Sequence, residues 1–275
     1  MPTFVPHPWN TDFNWDDHVG PFRRVTQEQA AAFDRDGFFV LENAVDAETL
    51  ARLETEIEPF DLEVLEFLAA RPNGRFSIAG VDTVSIAIHL VARSEALRDF
   101  CDSQLFADLC HDLIGGESRL YWDQAVYKRA NGAESVLWHQ DNGYTYVEPQ
   151  AYLTCWVALN DATDQNGCIQ VLPGVHRQGT LAHHNTPLGF ECFIDPEGPV
   201  SVPVKAGSIV VLSSLTPHAT GLNYTDQLRK AYIVQFAPDG AIALRGDPDN
   251  GPAVGSELQN NPDRQFLFSA RFGPL

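Results

Sequence analysis

Arg119-Leu120-Tyr121-Trp122-Asp123-Gln124-Ala125-Val126-Tyr127-Lys128 alternates in character along its length, as an extended strand with two different faces does. Outward from it, the same texture returns at Ala151 to Leu159, Cys168 to Leu172, Val200 to Val204, Ser208 to Leu212 and Ala231 to Phe236. Turn signals separate the runs: Asn131-Gly132, Asn142-Gly143, Asn166-Gly167, Pro173-Gly174 and Ala206-Gly207. Short strands with regular turns predict a β-sandwich or barrel, best drawn as a jelly-roll with helices over one face.

Upstream, Thr26 and Gln29 form a capping box for a helix that carries Ala30, Ala31 and Phe33 and stops at Gly37. Phe38 to Leu41 reads as a short buried strand. Asp46 caps a second helix, with Leu50, Leu53 and Ile57 at helical spacing, and Leu62 to Ala70 is a third apolar, acidic segment. Val81 to Ala92 fits a strand or a buried helix equally. Helices are predicted over Ser94–Cys101 and Gln104–Ile114. The expected organisation is one domain over residues 1–275: a mostly helical part to 115, opened by an irregular arm over 1–25, a β core over 116–237, and a tail over 238–275. That tail is expected to hug the surface and dock the aromatics of Gln265-Phe266-Leu267-Phe268, with Asp247-Pro248-Asp249-Asn250 as a turn. Residues 176–198 lack periodicity and read as a binding loop or lid.

Composition narrows the function. The chain has 275 residues, 44% hydrophobic and 20% charged, ample for a large core. Its net charge of −19, with lysine only at 128, 205 and 230, repels phosphate backbones and argues against nucleic-acid and anionic-membrane partners. No apolar run approaches the roughly 20 residues of a membrane helix, and the N-terminus lacks a secretory pattern. Five cysteines without a Cys-x-x-Cys pair read as reduced thiols of a cytoplasmic protein.

Chemistry gathers at Trp138-His139-Gln140-Asp141-Asn142. In an extended strand His139 and Asp141 share a face, where an imidazole and a carboxylate can bind one metal ion. Alone, His-x-Asp is also the pattern of a core histidine beside a turn-capping aspartate. Thr216-Pro217-His218-Ala219-Thr220 follows an apolar strand and places His218 at a rim of the β-domain, where a third ligand could converge. Arg229, at the start of the next strand, offers a bidentate clamp for a carboxylate. A metal triad beside such a clamp outlines a site for a chelating keto-acid.

Trp138-His139-Gln140-Asp141, Cys155-Trp156-Val157-Ala158-Leu159, Asn166-Gly167-Cys168 and Leu172-Pro173-Gly174-Val175-His176-Arg177 resemble the phytanoyl-CoA dioxygenase family. Ala206-Gly207, Pro217-His218 and Arg229 continue the match, which covers about residues 26–237. The resemblance implies a double-stranded β-helix (jelly-roll) and an Fe(II)- and 2-oxoglutarate-dependent dioxygenase. Such an enzyme consumes O2, releases succinate and CO2, and hydroxylates a small molecule. It implies His139, Asp141 and His218 as iron ligands, and Arg229 with Thr220 as the seat of the distal carboxylate. Trp156 is implied at the co-substrate pocket, and Gln124 as a further polar contact there. His176 is implied to be structural. Related halogenases lack the carboxylate at the Asp141 position, so its presence argues for hydroxylation.

Trp138, Asn142, Tyr144 and His183 are the expected substrate contacts, and Tyr146 and Phe190 could complete an aromatic pocket. His89 and His111 are expected in the core. Few cations are available for a CoA thioester, so a smaller metabolite is the expected substrate. Two alternatives stand beside this reading: a catalytically inactive metal- or ligand-binding jelly-roll module, and a cupin-type metalloenzyme without 2-oxoglutarate. Arg229 argues against the second.

Overall fold

The structure, a computed structural model, describes residues 4–246 and the backbone of residues 254–257. Strands β5 (Ser118–Lys128) and β15 (Arg229–Pro238) pair antiparallel from Arg229 opposite Lys128 to Pro238 opposite Ser118. They belong to an antiparallel sheet ordered β1 (Phe38–Leu41), β13 (Ile209–Ser213), β8 (Leu153–Ala158), β15, β5 and β4 (Val84–Ile88). A second antiparallel sheet is ordered β12 (Val200–Val202), β9 (Ile169–Val171), β14 (His218–Thr220) and β6 (Val136–His139).

Alternation on the strands sorts two cores. Val126, Trp156, Val210, Leu212, Ala231 and Ile233 face inward and meet Ile169, Val171 and Val202 of the second sheet. Their neighbours Ala125, Tyr127, Cys155, Val157, Val211, Tyr232 and Val234 face outward. There they pack with Phe33, Leu53, Ile57, Leu97 and Phe106. Those residues come from helices α1 (Gln27–Asp36), α2 (Ala47–Ala69), α3 (Glu95–Cys101) and α4 (Gln104–Leu113). Each fully buried Leu, Ile or Phe contributes about 1.5–3 kcal/mol, so both faces are strongly specified. This is the expected double-stranded β-helix, with helices over one face.

Several boundaries differ from the sequence reading. The capping box holds, with Thr26 accepting from the Gln29 N–H. Helix α2 however runs through Pro59 and absorbs the separate segment expected at Leu62 to Ala70. Proline removes one N–H from the ladder, but Leu53, Ile57 and Leu68 bury a stripe on both sides of it. Val81 to Ala92 resolves into β4 and a 3-10 turn at Leu90–Ala92. The first 115 residues are more than a helical layer, since β1 and β4 are the two edges of the six-stranded sheet.

The 176–198 region is more ordered in its pairing than a loop. After a 3-10 turn at Val175–Gln178 it forms a hairpin, β10 (His184–Thr186) with β11 (Gly189–Glu191). Beyond residue 238 the chain is not merely laid on the surface. Strand β16 (Ile242–Arg245) pairs with β7 (Val147–Glu148) and with β17 (Val254–Glu257). Gln265 to Phe268 and Asp247 to Asn250 lie outside the described residues. The N-terminal arm is irregular as expected. Pro6 bridges to Leu181, and the Asn10 amide donates to the Gln178 and Thr180 carbonyls. Among the described residues no helix is long and apolar enough to cross a membrane. All five cysteines are free.

Candidate metal centre

His139 ends β6 and His218 begins β14, and the two are paired across the sheet. Their rings stand 4.3 Å apart, centroid to centroid. Strand pairing ends at His139, but Gln140 keeps an extended backbone (φ −104°, ψ 142°). Alternation therefore carries one residue further than the strand, and Asp141, first residue of a helical turn to Tyr144, comes round to the histidine side. Asp141 Oδ1 lies 3.8 Å from His139 Nε2 and 3.9 Å from His218 Nε2. One ligand atom from each of the three lies within 4.8 Å of the others.

The groups behind these atoms fix their direction. His139 Nδ1 is 2.7 Å from the Leu137 carbonyl and His218 Nδ1 is 3.0 Å from the Thr216 carbonyl. A carbonyl only accepts, so each Nδ1 carries the proton and each Nε2 lone pair faces the centre. Burial, then the neighbouring His218, holds His139 well below the usual histidine range, which keeps it neutral. Thr154 donates to Asp141 Oδ2 at 2.6 Å, and the Gln235 amide donates to the Thr154 hydroxyl at 3.2 Å. Two imidazole lone pairs and a carboxylate on one face fit a divalent first-row metal such as Fe(II).

A second requirement is visible deeper in. Arg229 is fully buried at the start of β15, its guanidinium 5.3 Å from the Trp156 ring. Among the described residues its Nη1 reaches only the Val126 carbonyl, at 3.4 Å, while Nε and Nη2 have no partner. Thr220 Oγ1 is likewise buried without a partner. Burial lowers Arg229 to about 10, yet it stays charged at neutral pH. A buried guanidinium with two unpartnered nitrogens among the described residues calls for an anion.

The other expected contacts divide. Trp156 lies on the inner face under Arg229, and Gln124 Oε1 accepts from Trp122 Nε1 at 3.2 Å. Tyr144 stacks edge-on against His139 at 5.2 Å and against Phe190 at 5.1 Å, with its hydroxyl accepting from the Phe190 N–H. It also lines a cavity of about 460 Å³ with Trp9, Tyr146, His183 and Phe190. A larger cavity, about 600 Å³, lies between the arm and Glu148 to Leu153 and includes none of the triad.

The other three expected substrate contacts are placed as follows. Trp138 alternates away from His139 and packs with Leu172, Val175, Leu181 and Phe193. Asn142 is fully buried, its amide donating to Thr180 Oγ1 and its oxygen accepting from the Val147 N–H. His183 borders the cavity, but both ring nitrogens are engaged by the backbone. His176 is structural: fully buried, it stands edge-on to Trp15 with Nε2 on the Asp34 carbonyl. His89 and His111 are half-buried rather than core.

Sequence reasoning missed Thr154, Gln235 and Lys128. Each is a polar residue on the inward phase of an apolar strand, and that phase was the available signal. Lys128 Nζ donates to the Glu134 carbonyl at 2.8 Å and to the Gly221 carbonyl. Burial, and then Arg229, pull it down to about 7.

Known proteins resemble this chain in sequence and in fold. A phytanoyl-CoA dioxygenase from Arabidopsis thaliana is 28% identical over 141 residues, 49% of this chain and 50% of that protein. The matched stretch thus spans only half of that relative's length. A probable alpha-ketoglutarate-dependent hypophosphite dioxygenase from Stutzerimonas stutzeri is 22% identical over 80% of this chain and 81% of its own. The epimerase SnoN, solved with Fe3+, alpha ketoglutarate and nogalamycin RO, superposes with a TM-score of 0.69 at 22% identity. That superposition covers 88% of this chain and 98% of SnoN and supports the fold. The phytanoyl-CoA dioxygenase (PhyH) family profile matches residues 33–231, most of the chain. With that match, the chain belongs to the phytanoyl-CoA dioxygenase family.

Proposed function

We propose that the protein hydroxylates a small-molecule metabolite, consuming O2 and 2-oxoglutarate and releasing succinate and CO2. The carrying observation is the occurrence together of a His-Asp-His face and a buried cation that lacks a counter-ion among the described residues. His139, Asp141 and His218 would hold the iron, and Arg229 with Thr220 would bind the distal carboxylate of 2-oxoglutarate. Iron, when bound, supplies the oxidising chemistry that inserts one O2 oxygen into a C–H bond while the other enters succinate.

The chain's own residues do the rest. Arg229 provides a fixed fork for a carboxylate, and Trp156 covers it from the sheet. The apolar inner core around Trp156 and Ile233 excludes water from that end. Tyr144 and Phe190 form an aromatic wall next to His139, a suitable surface for a substrate C–H bond. The charge of −19 supports a small metabolite over a polyanionic CoA thioester. Five free cysteines support a reducing, cytoplasmic setting.

The test is anaerobic addition of Fe(II) and 2-oxoglutarate, read as a metal-to-ligand charge-transfer band, followed by succinate release on admitting air. Wild type is expected to give both. Absence of the band, or an undiminished band in His218→Ala, would overturn the reading. Turnover of acyl-CoAs in preference to small metabolites would overturn the substrate class.

A further inference from the structure

The backbone between the two candidate ligands of β6 and its turn is held by a closed ring of hydrogen bonds. The Gln140 N–H donates to His183 Nε2 at 2.9 Å. His183 Nδ1 lies 2.8 Å from the Leu181 carbonyl, which only accepts, so Nδ1 carries the proton and Nε2 the lone pair. The Leu181 N–H in turn donates to Gln140 Oε1 at 2.7 Å. The ring thus begins and ends on Gln140. The Gln140 amide is fully buried and donates to the Gly179 and Leu215 carbonyls as well.

We propose that His183 is a positioning residue for the metal centre: its imidazole fixes the His139–Gln140 peptide plane, and so the angle at which His139 and Asp141 meet. The proposal rests on reading His139, Asp141 and His218 as the ligands. Neutral imidazole suits the place because it presents a donor and an acceptor on opposite sides of one rigid ring. Both ring nitrogens are engaged by the backbone, which suits a positioning role. The ring occupies the volume that a side chain at residue 143 would need. A Cβ built on Gly143 would lie 2.1 Å from His183 Cε1 and 2.3 Å from Nε2. Gly143 lacks positive φ, so close approach, not backbone conformation, is what demands glycine there.

Co(II) binding to the apo-protein tests this, read by its d–d absorption and by a dissociation constant, beside the apo thermal midpoint. His183→Leu is expected to weaken Co(II) binding by ~10–100-fold, the usual effect of removing a group that orients a metal ligand. His183→Gln, which keeps an acceptor for the Gln140 N–H, is expected to recover most of that loss. Gly143→Ala, which expels the ring, is expected to resemble His183→Leu. A purely structural role would lower the apo midpoint and leave the affinity of the folded fraction unchanged; that result overturns the proposal. If His183→Leu does not fold, wild-type affinity in Gly143→Ala overturns it instead. The underlying ligand reading fails separately, if wild type does not bind Co(II) or His218→Ala binds it as well as wild type, and the proposal falls with it.

Discussion

Arg229 and Lys128 stand directly opposite one another in the β15–β5 ladder, two buried cations on one face. Among the described residues neither forms an ion pair with a carboxylate. The apo-protein therefore carries uncompensated charge at the place where a diacid is proposed to bind.

Arg229→Met should accordingly separate stability from binding. Loss of the guanidinium is expected to abolish the 2-oxoglutarate charge-transfer band. It should also raise the apo thermal midpoint, by about 2–4 °C for each kcal/mol of relieved burial cost. Arg229→Lys should not restore binding, since a point charge lacks the fork. A lower midpoint in Arg229→Met would mean that the cation is already compensated.

Lys128 predicts a slope of stability with pH. Its folded value, about 7, lies below the ordinary 10.5. Between those values the unfolded chain binds more protons than the folded one, so stability rises as pH rises through that window. Lys128→Met lacks this contribution. The urea midpoint of wild type, measured against that variant at pH 7 and pH 9, should gain at the higher pH.

Burial lowers His176 from 6.5 to about 4. The folded protein keeps it neutral while the unfolded chain takes up a proton, so stability is lost as pH falls from 6.5 towards 4. The loss is on the order of 3 kcal/mol at the low end. His176→Asn should flatten this part of the acid-denaturation curve, while weakening the fold at neutral pH through lost packing against Trp15.

Thr154 leaves Asp141 one free oxygen. Thr154→Val removes the donor to Oδ2 and frees the carboxylate to rotate. Fe(II) affinity is expected to fall ~10–100-fold, with Thr154→Ser close to wild type. Equilibrium dialysis under nitrogen measures both.

The fold was legible where one face of a strand is apolar for several residues running, as in Ala231 to Phe236. The triad was legible because His139 and Asp141 are neighbours in sequence and His218 sits in a motif of its own. Adjacency to a proposed ligand does not fix direction: alternation turns Trp138 away from His139, and Asn142 is fully buried. The roles of Thr154 and Gln235 depend on the β8–β15 register, which pairs residues 81 positions apart and leaves no local trace. Helix α2 passed Pro59 because tertiary packing overrode a local break signal, and the β16 strand joined a sheet through long-range pairing with β7.

Two of the proposed iron ligands, His139 and His218, lie on one sheet together with Thr220, whereas Arg229 reaches in from the other. Packing of Trp156, Ile169 and Ile233 between the sheets would therefore set how far Arg229 stands from the metal face. A keto diacid one carbon shorter or longer than 2-oxoglutarate is then expected to give a weaker charge-transfer band at equal concentration, so that packing between two sheets would set the length of acid that fits.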